Sequence, residues 1–385
     1  MRGHVERRGR GYRVTIHIGY AEDGTILRHR KTLSSKKSAD KYLRDKLAEL
    51  ETEGSIRARN LETFEQFIAR WLEVCGKQRV RQRTFEDYSW VVGRHVNGTE
   101  LGRQPLTSVT PLDIQERYSA MMAAGTGPHG VRKLHAVIRQ ALQQAVRWRE
   151  LGVNPALSVD LPRIKRKPEL RLLAADEFPR FLAAVVEEVR LAALWVLALA
   201  TGMRPEEYLG LKWDDFSPTL RKVTIVRVLV RPLKVIRGKP TWYFEAPKTE
   251  KSRRTLTLDP PVVLLLKQHR AQQAAEKLAA GPAYQDYGLV FATELGEPVR
   301  SDNLRKRNLK RILKRAGLPE NLTLYSMRHS AATALLKDRE SLKVVSELLG
   351  HSTIRLTGDI YSHVTDDLLE EAASKLTARI FGGAE

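Results

Sequence analysis

Three observations predict a chain that is mainly α with small β-sheets, divided into three domains. Between Phe64 and Trp148, apolar residues recur at i, i+3 and i+4 in successive segments, the pattern of helices that each bury one face. Ahead of them, Arg13 to His17 alternates, Glu22-Asp23-Gly24-Thr25 supplies a turn, and Ile26 to Leu33 reads as a second, more polar strand. From Leu170 onward the pattern is mostly helical, interrupted once by a stretch rich in β-branched and aromatic residues. A length of 385 residues suits two or three domains. The pattern divides at 1–55, 62–160 and 170–385.

In the first part, Ser35 precedes a helix in which Ala39, Tyr42, Leu43, Leu47 and Leu50 recur at helical spacing, giving a ββ(β)α module. Residues 1–60 carry 15 Lys and Arg against 8 Asp and Glu, and the exposed sheet face carries Arg and His, with Arg13, Arg28 and Arg30 as candidate phosphate contacts. In the second part, Thr63 caps Phe64 to Cys75, followed by Thr84 to His95, Thr110 to Ala123 and Gly130 to Trp148. Arg132, Lys133, Arg139, Arg147 and Arg149 lie along the last of these. With Lys77, Arg79, Arg81 and Arg83 in the preceding loop they form a second candidate set. The run Leu161 to Pro168, with Lys165 and Arg166 at its centre, is proline-bounded and basic, as a linker lying along a polyanion would be. In the third part, Val223 to Val230, Trp242 to Phe244 and Arg253 to Leu258 read as a three-strand meander whose second turn holds Pro247-Lys248-Thr249-Glu250-Lys251.

Lys and Arg number 66 against 45 Asp and Glu, a net charge of +21 that suits a nucleic-acid partner, double-stranded DNA in this reading. Charged residues at 29% beside 42% hydrophobic leave enough apolar material for real cores. The one cysteine, Cys75, excludes an intrachain disulfide and a cysteine metal site, and suits a reducing cytosol. The nearest approach to a membrane span, Leu191 to Ala200, is too short, and Met1 to Arg10 lacks the apolar region of a secretory signal. A cytoplasmic protein is expected. Neither a phosphate-cradling glycine loop nor a carboxylate cluster with metal spacing is present, so no metal or other cofactor is expected.

The chemistry-bearing residues come in a fixed order. Thr201-Gly202-Met203-Arg204-Pro205-Glu206-Glu207 puts Arg204 at a helix-opening turn, with Glu207 one turn on to orient it. Lys248 follows in its turn, with Lys251 as the alternative for the same role. Tyr325-Ser326-Met327-Arg328-His329 supplies a second arginine, and His329 reads as a packed core histidine. Leu349-Gly350-His351 closes a helix with glycine and leads into a histidine. Tyr361 comes last, in Thr357-Gly358-Asp359-Ile360-Tyr361. A phenol can attack a phosphorus, and the cations can hold the charge that develops on the phosphate.

Read in this order, the residues resemble those of the tyrosine recombinases, the phage-integrase family. The matches are Thr-Gly-x-Arg-x-x-Glu at Arg204, the lysine motif at Lys248, the His-x-x-Arg-His box at Arg328, the histidine-or-tryptophan position at His351 and Thr-x-x-x-Tyr at Tyr361. One position departs: Tyr325 stands where the family usually has histidine. With an unperturbed pKa of about 10, a phenol donates a hydrogen bond well but is a poor base. The resemblance implies that Tyr361 attacks a scissile phosphodiester and forms a 3′-phosphotyrosyl link. Arg204, Arg328 and His351 stabilise the pentacoordinate phosphorus, and Lys248 protonates the departing 5′ oxygen. The bond energy stays in the covalent intermediate, so neither ATP nor metal is required.

The resemblance further implies an arm-type DNA-binding domain at 1–55, a helical core-binding domain at 62–160 and a mixed, mostly α catalytic domain at 170–385. It implies a homo-oligomer on DNA, a tetramer in the synaptic complex, an accessory DNA-bending or excision protein, and a prokaryotic host in which the DNA-bound enzyme is nucleoid-associated. The stripe Leu368, Leu369, Ala372, Ala373, Leu376 and Ile380 suits packing on its own domain, the ordinary case, and the resemblance implies docking onto a neighbouring protomer as the alternative. Two alternatives stand beside this: a type IB topoisomerase, which shares the chemistry but religates the same strand, and a catalytically silent DNA-binding protein, for which Tyr325 is the argument.

Overall fold

In the computed structural model, which describes residues 3–9, 11–20, 26–57, 62–164, 171–188, 190–233, 241–355, 357–358 and 373–381, the N-terminal alternation becomes a three-stranded antiparallel sheet. Its strands are β1 (Gly3–Arg8), β2 (Gly11–Tyr20) and β3 (Ile26–Leu33), in that order. Val14 and Ile16 of β2 are fully buried in a cluster with Ala39, Tyr42, Leu43 and Leu47 of helix α1 (Lys36–Arg57). The register pairs Arg13 with Thr32, Thr15 with Arg30 and His17 with Arg28, so alternation sends these residues to the face away from the helix. Arg28 and Arg30 are exposed there, and Arg13 lies 4.0 Å from Glu6.

The chain divides into two units, Met1–Arg166 and Lys167–Glu385. The first also holds a helical core of its own. Helix α2 (Phe64–Trp71) opens with a capping box in which Thr63 and Gln66 satisfy each other's backbone N–H groups. It runs through a π-helical stretch, Leu72–Gly76, into the short α3 (Lys77–Arg79). Then come α4 (Gln82–His95), α5 (Glu100–Arg103), α6 (Pro111–Ala123) and α7 (Pro128–Arg147). Phe64, Phe67, Ile68 and Trp71 share one buried cluster with Val131, Leu134, Ile138 and Leu142. Full burial of each such side chain contributes about 1.5–3 kcal/mol, which is what selects the helical face.

The second unit is organised around α9 (Ala192–Thr201), a helix apolar nearly all round, which buries Leu194, Trp195, Leu197 and Ala198. Around it lie α8 (Glu177–Val186), α10 (Pro205–Tyr208), α11 (Pro260–Ala280), α12 (Ser301–Asn303), α13 (Lys310–Arg315), α14 (Leu324–Lys337) and α15 (Leu342–Leu349). The expected three-strand meander does not form. The run Val223 to Val230 splits into β4 (Lys222–Thr224) and β5 (Val228–Val230); β4 pairs with β7 (Thr255–Thr257), and β5 with β6 (Tyr243–Glu245). Ile225, fully buried, still takes the Arg254 carbonyl, but by Val228 the partner is Glu245, so residues 225–227 cross between ladders. The segment holding Lys248 therefore links strands of two different sheets, and a single 3₁₀ turn at Glu250–Ser252 replaces the hairpin.

Residues 373–381 are helical and expose Leu376 and Ile380, whereas Leu368, Leu369 and Ala372 of the expected stripe lie outside the described residues. Among the described residues no helix is long and apolar enough to cross a membrane.

Candidate active site

The C-terminal end of α15 is where the predicted residues meet. The last carbonyls of a helix have no intrahelical donor, and here three arginines from three separate segments supply one. Arg254 donates from Nε to the Leu348 carbonyl at 2.6 Å, Arg328 to Leu349 at 2.7 Å and Arg204 to Gly350 at 3.3 Å. Cations at this end also complement the helix dipole. Gly350 closes the helix at φ 64°, and a Cβ there would fall 2.7 Å from a guanidinium nitrogen of Arg254, so glycine answers both a backbone and a space requirement. Gly202 ends α9 with φ 58°, and its carbonyl accepts from the other terminal nitrogen of Arg328 at 2.7 Å. Arg328, only 2% exposed, thus ties together the ends of α9 and α15.

Glu207 orients Arg204 as expected from the spacing and does more. Its carboxylate accepts from the Arg204 backbone N–H at 2.9 Å and the Arg204 side chain at 2.7 Å, and from Arg254 at 3.0 and 3.3 Å. Burial alone would raise its pKa, but the Arg254 and Arg204 guanidinium groups outweigh it and hold the carboxyl below the usual range. Arg254, with 8% side-chain exposure, is a site residue that the sequence reading passed over. The available signal was its place just after the lysine motif, two residues before Leu256 and in phase with the buried Leu256 and Leu258. Arg204 keeps 25% exposure and so remains open to a ligand.

His351 directly follows the capped helix end and is buried, with Nδ1 2.8 Å from the Thr357 hydroxyl. Burial, followed by Arg328, Arg204, His329 and Arg254, pulls its pKa down to about 4, so the ring is neutral at ordinary pH. When Thr357 donates to Nδ1, the ring proton sits on Nε2 as a donor. Burial and Arg328 also lower the pKa of His329.

A Thr323–Ser326 capping box opens α14 and places Tyr325 and Arg328 on one face, three residues apart. The Tyr325 hydroxyl donates to the Glu206 carboxylate, 2.8 and 2.9 Å from its two oxygens. Burial and Glu206 push the phenol above its usual range, against the opposing pull of Arg204 and Arg328. Lys248 is exposed and has no hydrogen bond or ion pair among the described residues, whereas Lys251 donates to the Ser352 carbonyl at 3.3 Å. Tyr361, Lys165 and Arg166 lie outside the described residues.

Several basic residues of the first unit are engaged within it. Arg79 donates to Gln144 at 3.1 Å, Arg132 to the Pro162 carbonyl at 2.9 Å, and Lys133 pairs with Asp87 at 3.0 Å. Arg81 and Arg139 are exposed, and Arg83 is half-buried.

Residues 171–367 match the phage integrase family, and residues 63–122 match the phage integrase N-terminal SAM-like domain. A tyrosine recombinase XerC-like protein of Caldanaerobacter subterraneus subsp. tengcongensis is 30% identical over 365 residues, spanning 92% of either chain. The chain belongs to the phage integrase family. It is a site-specific DNA recombinase of the tyrosine type. The ICEBs1 integrase of Bacillus subtilis is 23% identical over 374 residues, 95% of this chain and 96% of that one. The fold agrees with two solved integrases. That of transposon Tn1549 in complex with transposon right end DNA has a TM-score of 0.67 at 21% identity, over 82% of this chain and 100% of the other. A lambda integrase dimer bound to a core site has a TM-score of 0.55 at 16% identity, over 93% and 94%. Family membership displaces the topoisomerase and silent-binder alternatives. The arginine cluster at the end of α15 therefore sits in a recombinase.

Proposed function

We propose that this recombinase cuts and rejoins DNA through a phosphotyrosyl intermediate on Tyr361, moving a mobile element into or out of a chromosome. The observation that carries this reading is the convergence of Arg204, Arg328 and His351 at one helix end, where the partly exposed Arg204 guanidinium stands beside a second arginine and a neutral histidine. Glu207 and Arg254 hold that arrangement before DNA arrives, so little reorganisation accompanies reaction. Similar proteins support the mobile-element assignment, among them the integrase of transposon Tn1549, the ICEBs1 integrase and lambda integrase. Double-stranded DNA is the partner and a tetramer is the working assembly, in keeping with a lambda integrase tetramer bound to a Holliday junction. A nicked suicide substrate tests the reading: trapping of a covalent adduct supports it, and DNA binding without an adduct refutes it.

Lys248 protonates the 5′ leaving oxygen. It is exposed and unengaged among the described residues, whereas Lys251 already holds the Ser352 carbonyl. Lys248→Ala is expected to slow cleavage of an ordinary substrate by roughly 10²–10⁴-fold and to regain speed with a 5′-phosphorothiolate, because sulfur departs without a proton. Rescue of Lys251→Ala in its place would assign the acid to Lys251.

Residues 1–55 form an arm-type DNA-binding domain, 62–160 a core-binding domain and 170–385 the catalytic domain. The first closes its own small core and presents Arg13, Arg28, Arg30 and His17 on one sheet face. Arg79, Arg81, Arg83, Arg132, Arg139, Lys165 and Arg166 contact phosphates from the second domain and the linker. Removal of residues 1–57 is expected to spare cleavage of a core-site oligonucleotide and to lower recombination between full sites by at least about tenfold. Equal loss in both assays would make the module part of the catalytic fold.

A further inference from the structure

Tyr325 has one hydroxyl proton, and that proton is already committed. It points at the carboxylate of Glu206, across 119 residues of sequence, with both oxygens within hydrogen-bond distance. Glu206 stands at the opening of α10 beside Arg204, and Tyr325 stands one turn before Arg328, so the pair borders the two arginines of the site. The phenol is 43% exposed and can be reached from solvent or by DNA. Its oxygen keeps lone pairs directed away from the bond it donates.

This geometry suits neither simple role for a tyrosine at a histidine position. Donation to a scissile phosphate would require leaving a carboxylate acceptor, and a phenol acting alone is a poor base. A phenol that accepts one proton while passing on another does not need to ionise. We infer that Glu206 is the terminal proton acceptor of the cleavage step, reached through Tyr325.

The inference rests on Tyr361 being the nucleophile. As the Tyr361 oxygen donates an electron pair to phosphorus, its O–H bond breaks and the proton moves to the Tyr325 oxygen. The Tyr325 O–H bond breaks in the same event and its proton moves to a Glu206 oxygen. The P–O5′ bond then breaks, and the 5′ oxygen leaves with its electron pair to be protonated by the active-site lysine. Glu206 ends neutral, Tyr325 ends as it began, and no redox partner is involved. The attacking phenol becomes strongly acidic as its bond to phosphorus forms, so transfer to a carboxylate runs downhill where transfer to a second phenol alone would not. Charge is also relieved: the carboxylate loses its negative charge as the phosphoryl oxygens gain theirs. Arg204 and Arg328 face the pair from α10 and α14, and the buried Tyr208 ring lies alongside, its hydroxyl without a hydrogen-bond partner among the described residues. Glu206 acts through Tyr325, as a positioning and proton-accepting residue.

Single-turnover cleavage of a nicked suicide substrate across a pH series tests this. Glu206→Gln keeps shape and an acceptor for the Tyr325 hydroxyl but has little proton affinity. It is expected to slow cleavage by about 10²-fold across the pH series, with an unchanged urea midpoint. Tyr325→Phe should do the same. The double variant should be no slower than the worse single one, since both break one path. Tyr325→His should restore most of the rate in a Glu206→Gln background, because imidazole is its own acceptor. Wild-type rate and profile in Glu206→Gln would overturn the inference, as would losses that multiply in the double variant. A slow Glu206→Ala beside a normal Glu206→Gln would overturn it too, leaving Glu206 only to orient the phenol. Failure of the wild type to form any adduct would instead sink the proposed function.

Discussion

Tyr361→Phe is expected to abolish the covalent protein–DNA adduct while leaving DNA affinity within about threefold of wild type. The substitution removes one oxygen, and that oxygen is the atom that would bond to phosphorus. Binding draws on other groups, in a chain with a net charge of +21 and basic residues spread over the sheet face, the helical domain and the linker. No cation is lost, so the dependence of affinity on salt should keep the same slope. A denaturing gel with a nicked substrate reads the adduct, and an anisotropy titration at two salt concentrations reads the affinity. An adduct that survives in Tyr361→Phe would assign the nucleophile to another residue. A collapse of affinity together with the adduct would mean that the tyrosine is chiefly a structural or binding group.

The parts of the molecule that were legible beforehand depend on local rules. Phe64, Phe67, Ile68 and Trp71 recur at helical spacing because a helix on a core must bury one stripe, and that pattern is visible without knowing the partner. Thr63 announced a helix start for the same local reason. Strand partners are a different matter. The β-branched run from Val223 to Val230 signals extended chain but carries nothing about where its neighbour changes from Arg254 to Glu245. Residues distant in sequence decide that.

The same division runs through the site. Arg204, Glu207, Arg328 and His351 were legible as an ordered set. Arg254 and Glu206 were not, because their meaning lies in pairings across 47 and 119 residues, to Glu207 and Tyr325. For Arg328 the sequence suggested a residue turned toward phosphate, and the fold adds a second duty at two helix ends. A motif reports which residue type a position needs, but the groups it holds in place become visible only once the chain is folded.

That second duty makes Arg328→Ala the substitution with the widest consequences. Both terminal nitrogens of a side chain only 2% exposed donate at 2.7 Å, to the carbonyls of Gly202 and Leu349. Truncation leaves two buried acceptors without those donors and opens a cavity between α9 and α15. A buried polar group left unsatisfied costs about 1–3 kcal/mol, so a destabilisation of roughly 3 kcal/mol is expected. The end of α15 loses its anchor to α9 at the point where His351 leaves the helix, so the histidine should be misplaced as well. Cleavage should therefore fall by more than the roughly 10²–10³-fold typical of one preorganised contact. Arg204→Ala provides the contrast. It frees the Gly350 carbonyl and removes one donor from Glu207, which keeps Arg254 and the residue 204 backbone N–H, and it should slow cleavage severely with a smaller loss of stability. Arg328→Lys should fall between, since an ammonium keeps the charge but not the planar fork that spans two carbonyls. Urea midpoints for the three variants, set beside single-turnover cleavage under conditions where each is folded, separate the two duties. An Arg328→Ala protein as stable as wild type would show that the helix ends hold without the arginine, leaving it a phosphate contact alone.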